Sequence, residues 1–239
     1  MIKRAALCTL ICLSLGGFAL GECVVPCPVY AEALGGGCFD YPGGSSGRLA
    51  PLSPGEPLEI LMDRSEQWYY TRRADGSLVW VRAESLAIPP DEPAASDDLS
   101  VEFLEYYARE NLTSDTGYVV MTEIYRQRTR IFRREGGNWR LVRSLPCSTG
   151  RNASPTTRGR FRITERGGWF YSWRLGSGAR YWVRFNDTYL FHSVAMDRSR
   201  RVVDPTIGEK ASSGCVRFGL ADAKWFYETV PDGTAVYII

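Results

Sequence analysis

Tyr189-Leu190-Phe191-His192-Ser193, with Ser212-Ser213-Gly214-Cys215-Val216-Arg217 following it, is the stretch on which the reading of this chain turns. The first piece is an aromatic and aliphatic run that predicts a strand carrying His192, the chain's one histidine, to a sheet edge. The second is a Ser-Ser-Gly turn that presents Cys215 in a loop, just before a predicted helix over Leu220–Val230. A lone histidine or a lone cysteine is usually structural, but together they supply a base and a nucleophile. A thiol with an ordinary pKa of about 8.5 becomes a competent thiolate near neutrality when an imidazolium or a helix N-terminus stabilises it. Arg217 lies two residues past Cys215, so on an extended chain it faces the same side and suits a carboxylate; a structural ion pair within the loop is the alternative. Ser193 either orients His192 or caps the strand end.

Working outward from that pair, short strands are predicted over Val119–Tyr125, Thr129–Arg133, Trp139–Ser144, Arg160–Thr164, Tyr181–Phe185 and Ala235–Ile239. One amphipathic helix is predicted over Leu99–Leu112, with Val101, Leu104, Tyr107 and Ala108 on its apolar side. Upstream, Leu58–Met62, Trp68–Thr71 and Leu78–Val81 read as strands, the last two joined by an Ala74-Asp75-Gly76-Ser77 turn. Ile88-Pro89-Pro90-Asp91-Glu92-Pro93-Ala94-Ala95-Ser96-Asp97-Asp98 has three prolines, four acids and little to bury, and reads as a linker. In 239 residues, 24 glycines, 13 prolines and 13% aromatic content favour many short strands over a helical bundle. The expected class is mostly β, a β-rich α+β protein.

The first 21 residues differ in kind. Lys3 and Arg4 precede an apolar run, Ala5–Leu15, and Ala19-Leu20-Gly21 offers small residues for cleavage, the pattern of a secretory signal peptide. The run is shorter than the roughly 20 residues needed to span a bilayer, so no transmembrane span is expected in the mature protein. A lipid anchor on Cys23 competes with that reading, but Glu22 stands where a small residue would be needed. The remainder holds 27 basic and 27 acidic residues. That balance hides a polarity: residues 22–98 carry 5 basic and 13 acidic side chains, residues 99–239 carry 22 and 14. Either the surface is ordinarily solvated, or the arginine-rich half receives an anionic substrate. No nucleic-acid motif accompanies the arginines, and no nucleic-acid partner is expected.

From about Thr113 to Ile239 the chain resembles the L,D-transpeptidase catalytic domain of bacterial cell-wall enzymes. The matching pieces fall in family order: strands with Trp139 and Leu141, Cys147-Ser148-Thr149-Gly150, Pro155-Thr156-x-x-Gly159-x-Phe161, Phe191-His192-Ser193, and Ser212-x-Gly214-Cys215-Val216-Arg217. The family often has a second histidine where this chain has Ser213, and a second proline where it has Thr157. Residues 36–88, with Pro54-Gly55-Glu56, Trp68-Tyr69-Tyr70 and Trp80-Val81, resemble a bacterial Src-homology-3 type domain, a small β-barrel found beside wall enzymes. The implied layout is a signal peptide (1–21), a cysteine-containing segment (22–35), the barrel (36–88), a linker (89–98) and a β-sandwich catalytic domain (99–239).

The resemblance implies an exported, monomeric enzyme of the cell envelope acting on peptidoglycan stem peptides without cofactor or metal. His192 takes the thiol proton and Cys215 attacks the carbonyl of the third stem residue. Terminal D-alanine leaves, and the thioester passes to an amine of a neighbouring stem. Gly214 and Cys215 amides are the expected oxyanion donors, with Arg217, Ser213 and Ser193 as substrate-binding candidates. A carboxypeptidase, with water as acceptor, and a non-catalytic wall-binding protein are the alternatives. Papain-like peptidases place the cysteine before the histidine, and sortases space the pair and their arginine differently. Setting Cys215 aside leaves Cys23, Cys27, Cys38 and Cys147, enough for two disulfides in an exported protein.

Overall fold

The computed structural model describes residues 22–43 and 48–239. The segment read as a signal peptide lies outside the described residues. Among the described residues, two sheets and two α-helices make up most of the regular structure, in line with the expected mostly β class.

The first sheet contains β1 (Val29–Ala33), β2 (Gly36–Phe39), β3 (Arg48–Leu52), β4 (Pro57–Arg64), β5 (Trp68–Arg72), β6 (Leu78–Arg82) and β7 (Leu86–Ala87), ordered β3-β2-β6-β5-β4-β1-β7. Period-two alternation sends Val29, Ala31 and Ala33 of β1, Leu58 and Ile60 of β4, Tyr69 of β5 and Val79 and Val81 of β6 into one core, together with Cys38. The domain therefore begins at Val29. Residues 29–33, expected to precede the barrel, supply a strand that pairs with both β4 and β7.

After α1 (Val101–Asn111), a second sheet takes β8 (Tyr118–Glu123), β9 (Arg128–Glu135), β10 (Asn138–Ser148), β11 (Gly159–Arg162), β12 (Glu165–Ser172), β13 (Ser177–Asn186), β14 (Tyr189–Ser193), β15 (Ala195–Met196), β16 (Val202–Asp204), β17 (Val216–Phe218) and β18 (Ala235–Ile238). α2 (Leu220–Thr229) lies between the last two. The order is β11-β18-β8-β9-β10-β17-β14-β13-β15-β16, with β12 paired to β13. Strand β10 holds β9 along most of its length and reaches β17 only at Cys147 and Ser148, so it carries the chain from one half of the sheet to the other. Val120, Ile131, Val183, Phe185, Phe191, Val216, Phe218 and Phe226 of α2 fill the space between the halves. Neighbouring residues Val119, Met121 and Phe132 point the other way, onto Leu104 and Ala108 of α1. Burial on both faces explains why Val119-Val120-Met121 reads as a continuous apolar run. Ser100 caps α1 by accepting from the Phe103 amide at 3.2 Å, while Val101, expected on the packed face, is exposed.

The stretch read as a linker is fastened down. Arg126 and Arg130, both nearly or wholly buried, share buried Glu123 and reach out to Asp97 and Asp98 at 2.5 Å each. The Asn152 amide donates to Asp91 at 2.5 Å, and its side chain donates to the carbonyls of Pro89 and Pro90. Residues ahead of the first sheet also pack on the second domain: the Ser100 amide donates to Glu22, Arg126 donates to the Cys23 carbonyl at 3.1 Å, and Val24 joins the α1 core. Both ends of the N-terminal domain are thus bound to the domain that follows.

Among the described residues Cys27, Cys38, Cys147 and Cys215 are free thiols, so the two disulfides for which the cysteine count leaves room among Cys23, Cys27, Cys38 and Cys147 are not formed. Cys38 is enclosed in the first domain's core and Cys147 in the second's, so neither has the other within reach. Burial pushes the Cys147 thiol up to about 12.

Candidate functional site

Alternation along β14 turns Phe191 into the core and His192 onto the opposite face. Strand β17 runs parallel to β14, with Phe191 opposite Val216 and His192 opposite Arg217. Cys215, one residue before the first of those pairs, is therefore carried to the same cleft. The cleft has a volume of about 500 Å3 and is lined by His192, Cys215, Arg217, Ser213, Arg174 and Arg184 among others, including Phe170 and Trp182. Among the described lining residues no carboxylate appears. Cys215 is followed by strand β17 and only then by α2, so no helix N-terminus adjoins the thiol as the sequence suggested.

His192 is buried and its ring meets Phe170 edge-on, with centroids 5.5 Å apart. Its Nδ1 lies 2.6 Å from the Ser193 carbonyl oxygen. A carbonyl can only accept, so Nδ1 carries the hydrogen and Nε2 is left as the basic atom. Burial, with the Arg217 charge added, pulls the imidazole down to about 4 against the pull of that hydrogen bond. Burial likewise raises the Cys215 thiol to about 11, opposed by the Leu190 amide and by the charges of Arg217, Arg184 and Arg174. The pair rests neutral, and the thiol hydrogen points to the Thr188 carbonyl at 3.8 Å.

The expected site residues separate into two groups. Ser213 lines the cleft. The Ser193 hydroxyl faces away from the imidazole, accepting from the Arg180 amide at 2.9 Å and donating to the Val194 carbonyl at 3.0 Å; its backbone oxygen is what holds His192. Arg217 lines the cleft and also donates to Asp204 at 2.5 Å. Burial would raise Asp204, but hydrogen bonds from Thr206 and Arg217 outweigh it and hold the carboxyl at about 2.

Gly214 has φ of +98°, and a Cβ there would come within 2.7 Å of the Tyr189 ring. Its carbonyl accepts from the Thr156 hydroxyl at 2.8 Å, and the same hydroxyl accepts from the Gly150 amide at 2.8 Å. Thr156 was missed as a site residue because its place in Pro155-Thr156-x-x-Gly159 says nothing of a partner 58 residues away. Arg174 and Arg184 were missed for a like reason: 20 arginines fill the second half of the chain, and only the fold singles these out, Arg184 by the pairing of β13 with β14 and Arg174 by the turn between β12 and β13.

A β scaffold that brings one thiol and one imidazole into a cation-lined cleft has the layout of a cysteine–histidine acyl-transfer domain. Residues 117–238 match the family model for the L,D-transpeptidase catalytic domain, YkuD, and the chain belongs to that family. It is 38% identical over 114 residues to the protein named "Putative L,D-transpeptidase YciB" of Bacillus subtilis (strain 168), covering 44% of this chain and 58% of that one. A crystal structure of a "Fused Zn-dependent amidase/peptidase/peptodoglycan-binding domain-containing protein" from Clostridium acetobutylicum ATCC 824 is similar at 31% identity and a TM-score of 0.50, covering 58% of this chain and 59% of that one. An L,D-transpeptidase from Stackebrandtia nassauensis is 23% identical with a TM-score of 0.42, over 53% and 57% of the two chains. The chain thus spans less than two thirds of the length of these relatives.

Proposed function

We propose that the protein is an exported L,D-transpeptidase of the cell envelope that links peptidoglycan stem peptides through a thioester on Cys215. The observation that carries this reading is the placement of Cys215 and His192 in one cleft with Arg174, Arg184 and Arg217 and no lining carboxylate. Stem peptides bring carboxylates, which arginine holds bidentately. As Cys215 attacks the carbonyl of the third stem residue, its proton passes to His192 Nε2. Collapse of the tetrahedral intermediate breaks the amide, and the proton goes to the departing D-alanine amine. A neighbouring stem amine then attacks the thioester, with His192 again taking a proton, and the thiol is regenerated. The Gly214 and Cys215 amides stabilise the oxyanion, a contribution worth about a hundred- to a thousandfold in related acyl transfers. Ser213 borders the substrate.

The test is incubation of the protein with a disaccharide-tetrapeptide and identification of products by mass. A cross-linked dimer with D-alanine release is the expected result. Tripeptide alone would mean that water is the acceptor and the protein a carboxypeptidase. Untouched substrate, or turnover that survives Cys215→Ala, would refute the reading.

A further inference from the structure

Four described side chains of the first domain, Glu59, Asp63, Glu66 and Tyr69, make hydrogen bonds or ion pairs across the junction to one loop, 151–158. The Tyr69 hydroxyl donates to the Ala153 carbonyl at 2.7 Å, and Asp63 accepts from Ser154 at 2.7 Å. Arg151 donates to Glu66 at 3.1 Å, and Arg158 pairs with Glu59. The middle of this loop holds Thr156, which is buried and bridges the Gly150 amide and the Gly214 carbonyl.

The Gly214 carbonyl and the Cys215 N–H belong to one peptide unit. That unit is planar and trans, so its C=O and N–H point in opposite directions. Fixing the carbonyl on Thr156 therefore fixes where the Cys215 N–H is aimed. The loop backbone packs directly on Gly150, where a Cβ would come within 2.2 Å of the Ser154 carbonyl and 2.6 Å of the Thr156 nitrogen. We propose that Thr156 is a positioning residue that aims the Cys215 amide at the developing oxyanion, and that the N-terminal domain braces it through Tyr69 and Asp63. The proposal rests on the acyl-transfer reading above. It gives the first domain a part in the chemical step: donors aimed in advance need no reorganisation when charge develops.

Thr156→Val keeps the shape and removes the hydroxyl, Thr156→Ser restores the hydroxyl, and Tyr69→Phe combined with Asp63→Asn loosens the brace from outside the site. All are made in the full chain. Acylation is followed with a disaccharide-tetrapeptide and, separately, with a carbapenem read by intact mass. Alkylation of Cys215 by iodoacetamide, which forms no oxyanion, is the control. Thr156→Val is expected to lower the acylation rate about ten- to a hundredfold with KM changed by less than about threefold. Alkylation is expected to stay within about twofold of wild type, because thiol access and basicity are untouched. Thr156→Ser recovers most of the rate, and the double variant loses about three- to tenfold in acylation alone.

Wild-type acylation in Thr156→Val, an equal fall in alkylation and acylation, or a serine variant as slow as the valine variant would each overturn the role of Thr156. Unaltered acylation in the double variant would overturn the brace, and that variant answers even if Thr156→Val fails to fold. A wild type that takes the carbapenem but ignores the stem peptide refutes the substrate and leaves the Thr156 comparison decisive on the carbapenem. Acylation by neither probe overturns both.

Discussion

Raising the pH tests how the nucleophile is held at rest. Cys215 sits at about 11 and His192 at about 4, both because burial penalises their charged forms. At pH 7 the thiolate is then about one part in 10,000, and each pH unit multiplies it about tenfold. Iodoacetamide alkylation, quantified on the Cys215 peptide by mass spectrometry, is expected to rise about a thousandfold between pH 7 and pH 10, without a shoulder from His192. A preformed thiolate–imidazolium pair would behave otherwise: its alkylation rate would level off between the two pKa values and fall only in acid. A plateau across pH 5–9 would refute the neutral resting pair and with it the inference that the proton moves during attack. The same reasoning makes His192 a base for the transition state rather than a standing activator, so His192→Gln should leave the alkylation profile in place while stopping acyl transfer.

Other expectations follow from the buried charges. Glu123→Gln leaves the guanidinium groups of Arg126 and Arg130 buried against a neutral amide, and urea unfolding should show a loss of about 3–5 kcal/mol. Asp98→Asn, whose carboxylate is half exposed, should cost less than about 1 kcal/mol. The depressed His192 means that the unfolded chain takes up a proton first as pH falls. Stability is therefore complete above the unfolded pKa of about 6.5 and lost progressively down to the folded value of about 4, by about 3 kcal/mol at most, and His192→Gln should flatten that limb of a denaturation series. A chain of residues 99–239 is expected to melt lower and turn over soluble stem fragments more slowly than the full chain. Unchanged melting and turnover would show that the junction contacts carry nothing.

What the sequence revealed of this arrangement depended on local pattern. The helix over Leu99–Leu112 and the strands around Trp68, Trp80 and Phe191 carry their period in their own residues, and the structure has them within a few positions. β12 was missed because Glu165–Ser172, with two glycines and few aliphatic residues, has no alternation to read; Gly167 is there because the Trp182 ring covers it and a Cβ would come within 2.6 Å. β1 was missed because Val29–Ala33 gains its place only by pairing with β4 and β7, far along the chain. Cys215 and His192 were legible as the one histidine and a cysteine in a glycine turn. Their resting protonation was not, since burial between β14, β17 and Phe170 sets it and no spacing rule reports burial.

The charge polarity of the chain takes on a different meaning once the contacts are placed. The excess acid of residues 22–98 and the excess arginine of residues 99–239 suggested either an ordinarily solvated surface or an arginine-rich half that receives an anionic substrate. Glu59, Glu66, Asp97 and Asp98 each pair with an arginine of the second half, so part of the polarity is internal complementarity between the two domains. The exposed pair Arg151–Glu66 adds little stability by itself, and what the junction pairs supply is register: Glu59 and Glu66 fix which face of the first domain meets the 151–158 loop. The arginines that the acidic half leaves alone include Arg174, which lines the cleft beside Cys215. The division of cations follows from that. Those at the junction hold the loop on which Thr156 is carried, and those in the cleft, Arg184 on β13, Arg217 on β17 and Arg174 in the turn between β12 and β13, are placed for the anionic substrate proposed above. Raised salt should therefore weaken the exposed junction pairs more than it weakens the buried Arg126–Glu123–Arg130 cluster. A kcat at saturating substrate that fell with salt in the full chain, with Cys215 alkylation constant, would mark the loop rather than the cleft arginines as the place where the loss is felt.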